Sequence, residues 1–358
     1  MTTFERMTAM FNHENPDYVP IYDNYWESTL ARWHREGMPA DVSVTDYFGL
    51  DKVINVGKEG NILDMSPQFE KKIIEEGDNY IIEQNEWGQT KKNFKPVSST
   101  FQHLDQIVKD RESWKKAKER MVPDRSRINW KFLEENYAKW RAEGAWLMAS
   151  IWCSYDTVST QMCNTETILF AMADDPEWTT DMFNTCCDLT LALLDMMWDA
   201  GYTFDEVNWP DDMSYKNGML FSKRMWREQI LPYQTRIVKW AREHDVRVTL
   251  HCCGNINSLV DELVNELGID LLDPLEVKAG MDPIALKAKY GNKLAFSGGF
   301  DARNWSSPEL VEADVRRILP IMMQNGGYIF KSDHSVPDSV SLEDYTRLVK
   351  LVREVGKY

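Results

Sequence analysis

His251 and Cys253, which are two residues apart, are the side chains of this chain best suited to chemistry. His251 lies near the end of a short apolar run, residues 247–252, that predicts a β-strand, and Cys253 directly follows that run. Because side chains alternate along a strand, residues 251 and 253 should point to one side and Cys252 to the other. An imidazole and a thiolate that converge are good zinc ligands, and a catalytic zinc has three protein ligands and one open position. The pattern therefore predicts a zinc site that still needs a third ligand.

The third ligand should come from the end of another strand. The last predicted strand is followed by Asp333 and His334, of which His334 is the preferred donor and Asp333 the reserve. Glu276 is a further candidate. The alternative is that both histidines are ordinary polar residues and that the thiols are inert core groups.

The order of the strands and helices that position these residues predicts a (β/α)8 TIM barrel, a fold of the α/β class. From about residue 145 onward, short apolar runs alternate with longer helical patterns, as in a parallel sheet. The predicted strands are residues 18–23, 146–152, 204–209, 247–252, 270–275, 294–299 and 327–331. The eighth strand should lie before residue 145. We expect one decorated domain over residues 1–358, with an N-terminal helical and β-hairpin elaboration at residues 60–145 that contains two or three strands at 71–94.

The functional face of a barrel lies at the carboxyl ends of its strands, and this face is polar and aromatic here. Three carboxylates there could orient a ligand or move a proton: Glu206, Asp212 and Asp23. Asp211 and Asp212 could equally form a solvated turn after Pro210. The candidate substrate-binding residues are Tyr25, Trp152, Tyr155, Asn208, Trp209, Glu276, Phe300 and Asp301.

Composition excludes several classes of protein. The formal net charge of -16 argues against a nucleic-acid partner, because it would repel phosphate backbones. No apolar run reaches the roughly 18 residues of a membrane helix, and residues 1–6 do not resemble a secretion signal. We therefore expect a cytoplasmic protein with no membrane partner. The six cysteines do not form a secreted disulfide pattern, which predicts reduced thiols.

These residues resemble the uroporphyrinogen decarboxylase superfamily over nearly the whole chain. The matching stretches are residues 16–20, Asn217-Gly218, Phe221-Ser222, 250–255 and 326–337. True decarboxylases of the superfamily carry an arginine-rich segment soon after the first strand, which binds the tetrapyrrole carboxylates. This chain has Asp23-Asn24-Tyr25-Trp26-Glu27 there and its next arginine is Arg32.

The corrinoid-dependent methyltransferase branch is the better match. That branch binds zinc through an H-x-C pair and a later cysteine, and His251 and Cys253 match the pair, whereas His334 stands where the cysteine is expected. The resemblance implies Zn2+, a corrinoid supplied by a partner protein, and a methylated small molecule as methyl donor. It is also compatible with a homodimer.

The expected activity is that of an O-demethylase component, which moves a methyl group from a methoxylated aromatic to the corrinoid protein. Three alternatives remain. Zinc could activate a thiol that accepts a methyl group from the corrinoid, the protein could be a decarboxylase, or the barrel could bind a ligand without catalysis.

Overall fold

A curled, seven-stranded parallel sheet forms the centre of the molecule in this computed structural model, which describes residues 1–95 and 101–358. The strands are β1 (Val53–Asn55), β2 (Lys72–Glu76), β3 (Tyr80–Gln84), β4 (Gln89–Phe94), β5 (Gln102–Gln106), β6 (Trp146–Ser150), β7 (Glu206–Pro210), β8 (Ser214–Tyr215), β9 (Gly218–Met219), β10 (Arg247–His251), β11 (Leu271–Leu275), β12 (Ala295–Gly298) and β13 (Tyr328–Ile329). The central sheet has the order β1-β6-β7-β10-β11-β12-β13. The protein is therefore mixed α/β with a seven-stranded half-barrel sheet. The α/β class and the parallel sheet agree with the alternating pattern, and closure into the expected (β/α)8 barrel stays a prediction.

The strand that the sequence placed only roughly, somewhere before residue 145, is β1. It pairs in parallel with β6, with Val53 opposite Trp146. The segment predicted as the first strand, residues 18–23, forms a single parallel bridge between Ile21 and Phe330 of the β13 end. On its other side, the backbone N–H of Asp51 donates to the carbonyl of Ile21 at 3.0 Å. This segment therefore lies between the two edges of the curled sheet.

Thirteen α-helices are distributed along the described chain, and helices separate most of the successive strands of the central sheet. They are α1 (Thr3–Phe11), α2 (Glu27–Arg35), α3 (Val44–Phe48), α4 (Arg111–Lys118), α5 (Trp130–Ala142), α6 (Thr165–Asp174), α7 (Pro176–Asp199), α8 (Lys223–Met225), α9 (Leu231–Glu243), α10 (Val260–Glu262), α11 (Pro283–Tyr290), α12 (Pro308–Met322) and α13 (Leu342–Val355). The longest, α7, begins with Asp175 as N-cap and Pro176 in its first turn. Gly201 follows its end with a φ of 88°, a left-handed conformation that glycine adopts without strain.

One end of the curled sheet is covered by α1. Its Met7, Met10 and Phe11 are buried and form a cluster with Trp146 and Leu271 from the sheet. Phe11 stacks on Trp146 with ring centroids 5.4 Å apart. Burial of large apolar side chains is the main stabilising term in such a cluster. The amino-terminal end of the strands is therefore filled with apolar side chains.

A four-stranded antiparallel sheet of order β2-β3-β4-β5 lies outside the central sheet. The sequence predicted two or three of these strands; β5 was missed because its residues are mostly polar. Gln89 at the start of β4 is buried and donates a side-chain hydrogen bond to the carbonyl of Thr160. Thr160 belongs to a π-helical turn, Thr157–Met162, that follows β6. The extra sheet is therefore attached close to the carboxyl ends of the central strands.

Within the described residues, no helix combines the length and apolar character needed to cross a membrane. The assignment of the whole chain to one domain stays a prediction.

Candidate metal and substrate site

A cavity of about 430 Å³ runs along the inner face of the curled sheet. It is lined by Met7, Tyr22, Asn24, Tyr25, Val53, Asn55, Lys58, Met148, Ser150, Trp152, Glu206, Asn208, Pro210, Thr249, His251, Leu271, Asp273, Ser297, Ile329, Lys331 and Ser335. Every strand of the central sheet contributes to the lining, and where a strand contributes several residues they alternate along it, as the two-residue period requires. Apolar side chains line the end near α1, and the rest of the lining combines polar side chains with aromatic ones such as Trp152 and Tyr25.

The two-residue period also decides which predicted residues reach the cavity. On β7, Glu206 and Asn208 line it, whereas Val207 and Trp209 are fully buried on the opposite face. The parallel register places Asn208 beside Thr249 of β10. The inner rows of neighbouring strands thus form one continuous polar wall.

His251, Cys253 and Asp212 come together at the carboxyl end of this wall. Their ligand atoms all lie within 4.8 Å of one another. His251 Nε2 is 3.4 Å from Cys253 Sγ, and the backbone N–H of Cys253 donates to Asp212 Oδ1 at 2.8 Å. Cys252, by contrast, is fully buried. The strand alternation predicted from the sequence therefore agrees with the geometry of the pair.

The donor set fits zinc. Imidazole nitrogen, thiolate sulfur and carboxylate oxygen are the ligands that Zn2+ takes in proteins. Zinc–ligand bonds of the usual lengths at a tetrahedral angle would separate the histidine nitrogen and the cysteine sulfur by about 3.6 Å, close to the 3.4 Å between Nε2 and Sγ here. Asp212 would supply the third ligand, which leaves one position of a tetrahedron open.

Asp273 and Lys331 complete this arrangement, and sequence reasoning missed both. His251 Nδ1 is 2.7 Å from Asp273 Oδ2, and Lys331 Nζ donates to both oxygens of Asp273 at 2.9 and 3.0 Å. Burial by itself raises the pKa of Asp273, but the charges of Lys331 and His251 lower it well below its usual range. A carboxylate on the second ring nitrogen leaves Nε2 free as a metal ligand.

The neighbours of His251 also control its protonation. Burial by itself lowers the pKa of His251, but Cys253 and Asp273 together raise it well above its usual value. Binding of a metal ion by His251 and Cys253 would require the loss of any proton from the two ligand atoms.

A comparison with models of protein families assigns the chain to a family. Residues 146–355 match the model of the family described as uroporphyrinogen decarboxylase (URO-D). The chain belongs to this family. The matched region contains β6 through β13 and the three residues Asp212, His251 and Cys253. The superfamily resemblance inferred from sequence motifs is confirmed.

Relatives within the family are distant. The uroporphyrinogen decarboxylase of Cellvibrio japonicus (strain Ueda107) is 28% identical over 147 residues, 39% of this chain and 39% of that protein. The enzyme of Shewanella loihica (strain ATCC BAA-1088 / PV-4) is 29% identical over 144 residues, again 39% of each chain. The chain thus matches about two-fifths of the length of these curated relatives.

A solved structure shares the fold over the full length. It is a methyltransferase from Methanosarcina mazei, with a TM-score of 0.66, 14% identity, and coverage of 99% of both chains. At this identity the similarity establishes the fold. It also shows that the elements before residue 146 are part of an architecture found in another member of this fold.

The structure groups Asp212, not His334, with the predicted metal pair. His334 is half-buried on the same rim, edge-on to Trp26 with ring centroids 6.5 Å apart. Asp333, the reserve ligand, is buried and accepts a hydrogen bond from the backbone N–H of Ala302 at 3.2 Å. The assignment of either residue as a ligand stays a prediction, and Asp212, selected from the sequence for proton transfer, has the geometry of a ligand.

Two other predicted catalytic carboxylates are buried. Glu206 lines the cavity and accepts a hydrogen bond from Trp146 Nε1 at 2.7 Å, and burial raises its pKa to about 7. Burial also raises the pKa of Asp23 to about 7. Asp23 accepts a hydrogen bond from Ser332 Oγ at 2.5 Å, which ties the first bridged segment to the end of β13. Glu206 alone of these two belongs to the cavity wall.

The predicted substrate-binding residues divide in the same way. Tyr25, Trp152 and Asn208 line the cavity. The aromatic residues Tyr155, Trp209 and Phe300 are almost fully buried in the core around the sheet. Packing explains this division. The aromatic residues near the strand ends belong partly to the cavity wall and partly to the layer of side chains behind it.

Glu276 and Asp301 complete the set. Glu276 Oε2 accepts a hydrogen bond from the backbone N–H of Gly254 at 2.6 Å, next to the His-x-Cys segment. Asp301 pairs with the exposed Arg303 and caps a short helical turn. Glu276 therefore supports the loop that holds Cys253, and Asp301 organises its own loop.

Asp156 is a further carboxylate near the site that sequence reasoning did not select. It is buried, and its backbone N–H donates to Asp211 Oδ1 at 3.1 Å. Burial, together with the charges of Asp212 and Asp211, raises the pKa of Asp156 to about 8. Its position shortly after β6, at the carboxyl edge of the sheet, could have marked Asp156 as a candidate site residue in the sequence.

Proposed function

We propose that this protein is a zinc-dependent methyltransferase that moves a methyl group from a methoxylated aromatic compound to a separate corrinoid protein. The observation that carries the proposal is the grouping of Asp212, His251 and Cys253 at the open end of the cavity. Zinc in this grouping would act as a Lewis acid on the ether oxygen and stabilise the departing phenoxide. The reduced corrinoid of the partner protein would accept the methyl group.

The cavity suits a small aromatic donor. Its volume of about 430 Å³ lies in the range of small-molecule sites. Trp152 and Tyr25 offer aromatic faces for offset stacking on a ring. Glu206 and Asn208 offer hydrogen-bonding groups deeper in the cavity, where Glu206 can hold a proton near neutral pH.

The cavity is poorly suited to a tetrapyrrole with many carboxylates. Among the described residues that line it, the lysines are Lys58 and Lys331, and Lys331 is already paired with Asp273. Arg32, the first arginine after the opening segment, pairs with Glu36 and donates to the carbonyl of Asp338. The fold of the Methanosarcina mazei methyltransferase gives additional support to the methyltransferase branch.

We further propose that the segment around Ile21 completes an eight-stranded barrel. Its support is the bridge to Phe330 on one side and the hydrogen bond from Asp51 on the other. A closed wall would leave the carboxyl end of the strands as the route for substrate.

The direct test combines metal analysis with a methyl-transfer assay. Protein purified without chelators should contain one zinc per chain, and incubation with reduced corrinoid protein and methoxylated aromatics should produce methylcobalamin absorbance. Cys253→Ala should lose both, whereas Cys252→Ala, which changes the neighbouring thiol on the opposite face, should keep both. A protein without stoichiometric zinc, or a Cys253→Ala variant with normal transfer, would contradict the proposal.

Absorption spectroscopy of the cobalt-substituted protein tests the rival proposal, in which zinc activates a thiol that accepts the methyl group. If a thiol substrate perturbs the absorption of the cobalt-substituted site by direct sulfur coordination, the ether-cleavage proposal fails. Asp212→Asn and His334→Ala then distinguish the two candidates for the third ligand, because the true ligand is the one whose loss lowers zinc content.

A further inference from the structure

Lys331 is the most unusual charged residue of the cavity. Its side chain is only 5% exposed, and it occupies the inner row of the sheet just after β13. A buried ion pair is seldom a net source of stability, because the loss of hydration of the two charges offsets their attraction. The position of Lys331 therefore calls for an explanation other than folding.

The hydrogen bonds of Lys331 give that explanation. Its ammonium group binds both oxygens of Asp273, at 2.9 and 3.0 Å, and Asp273 Oδ2 is in turn 2.7 Å from His251 Nδ1. Parallel pairing of β10 and β11 places His251 directly beside Asp273. Contacts to both oxygens fix the plane of the carboxylate, so the oxygen that meets the imidazole cannot rotate away.

We infer that Lys331 is a positioning residue for the metal site: it holds Asp273 in the orientation that keeps His251 Nε2 directed at the metal position between Cys253 and Asp212. The inference rests on the proposed function in that it takes this grouping as a zinc site. A carboxylate that supports a zinc-bound histidine typically changes metal affinity by about 10- to 100-fold. Lys331 extends this support by one more residue.

Charge also favours this role. With zinc bound, the thiolate of Cys253 and the carboxylate of Asp212 balance the two charges of the ion, and Lys331 balances Asp273. The interior of the cavity then carries no net charge from these groups, which a low-dielectric site requires.

The chain offers a matched control. Lys287 is likewise buried, at 8% exposure, but its ammonium group donates to the carbonyl of Gly326 at 2.6 Å. Loss of this lysine removes a buried charge of the same kind without touching Asp273. Any general effect of removing a buried lysine should therefore appear in both variants.

The experiment measures the zinc affinity of the metal-free protein by competition with a chromophoric chelator, and the absorption of the Co2+-substituted protein. Lys331→Met should lower zinc affinity at least tenfold and alter the thiolate-to-cobalt band. Lys331→Arg, which keeps a charge and two donors for the carboxylate, should stay within about threefold of the wild type. Lys287→Met should leave both readouts unchanged.

A second variant covers the case in which Lys331→Met does not fold. Lys331→Met/Asp273→Leu removes both buried charges together and should show the same loss of affinity, because His251 then lacks its acceptor. Wild-type affinity in Lys331→Met or in the double variant overturns the inference and leaves the proposed function intact. A wild-type protein that binds no zinc overturns both.

Discussion

Glu206 should make the stability of the protein depend on pH, in a direction that its burial decides. The carboxyl group is buried on the cavity wall, beside Trp146 Nε1, and burial raises its pKa from 4.5 to about 7. Since the folded protein holds this proton more tightly than the unfolded chain, the stabilising contribution is complete below pH 4.5. It is lost as the pH rises towards and through 7.

The magnitude follows from the shift in pKa. Each pKa unit corresponds to about 1.4 kcal/mol, so full ionisation of Glu206 should cost about 3 kcal/mol in the free energy of unfolding. For a chain of 358 residues, the average unfolding entropy per residue converts this into a decrease of roughly 4 °C in Tm. Glu206→Gln removes the charge and keeps an oxygen that can accept the hydrogen bond from Trp146.

The assay is thermal and guanidinium unfolding of both proteins between pH 5 and 8.5. The variant and the wild type should differ least at pH 5, and the variant should become the more stable relative to wild type by about 3 kcal/mol at pH 8.5. Glu134→Gln, a change at an exposed position of α5, is the control: it keeps Glu206, so its stability should follow that of the wild type across the pH range. A difference between Glu206→Gln and wild type that stays constant over this pH range would refute the reasoning.

Three further predictions concern the cavity and its frame. Trp152→Ala should raise KM for an aromatic methyl donor about tenfold, as expected for the loss of about 1.4 kcal/mol of binding free energy. Trp209→Phe, on the opposite face of the sheet, should leave KM unchanged. Equal effects of the two changes in steady-state kinetics would contradict the assignment of the two faces. Gly57→Ala should lower the free energy of unfolding by about 2 kcal/mol or more, because an added Cβ would lie 2.0 Å from the carbonyl oxygen of Ser150; wild-type stability in denaturant titrations would disprove the clash. Removal of zinc by a chelator should lower stability by about 3 kcal/mol when free zinc stands at 100 times its Kd, and calorimetry should show no such change for Cys253→Ala.

The fold was largely accessible from the sequence because strands and helices alternate after residue 145. The pairing of β6, β7, β10, β11, β12 and β13 follows from that alternation. The strand β1 has only three residues, Val53–Asn55, so its pattern is too short to recognise. The strand β5 was missed for a different reason, since it is exposed and polar.

The sequence predicted only part of the geometry of the candidate site, and the remaining part depends on contacts that local patterns do not specify. Periodicity of two predicts that His251 and Cys253 share a face, and it also requires that Asn208 and Trp209 cannot both reach the cavity. The structure accordingly places Asn208 in the cavity wall and Trp209 behind it, and a substrate-binding role for either residue stays a prediction. The contacts of Asp273 with His251 and Lys331 depend on which strands are neighbours and on their register. In the sequence, the only sign of these contacts is that a charged residue lies in or directly after an otherwise apolar strand.

The choice between Asp212 and His334 as the third candidate ligand could not be made from the sequence. Asp212 and His334 both follow strand ends, and the path of a loop after a strand depends on contacts that the local sequence does not specify. Asp212 is held by the backbone N–H of Cys253, a contact between two loops 41 residues apart in the chain.

The packing of α1 against the amino-terminal end of the sheet has a consequence for the order of events in the proposed reaction. Met7 of α1 lines the apolar end of the cavity, among side chains that are almost completely buried. In the proposed reaction, the methyl donor and the corrinoid protein would then both approach through the entrance at the carboxyl ends of the strands. The donor would have to enter first, the corrinoid protein would seat over it, and the demethylated product would leave only after that protein had departed.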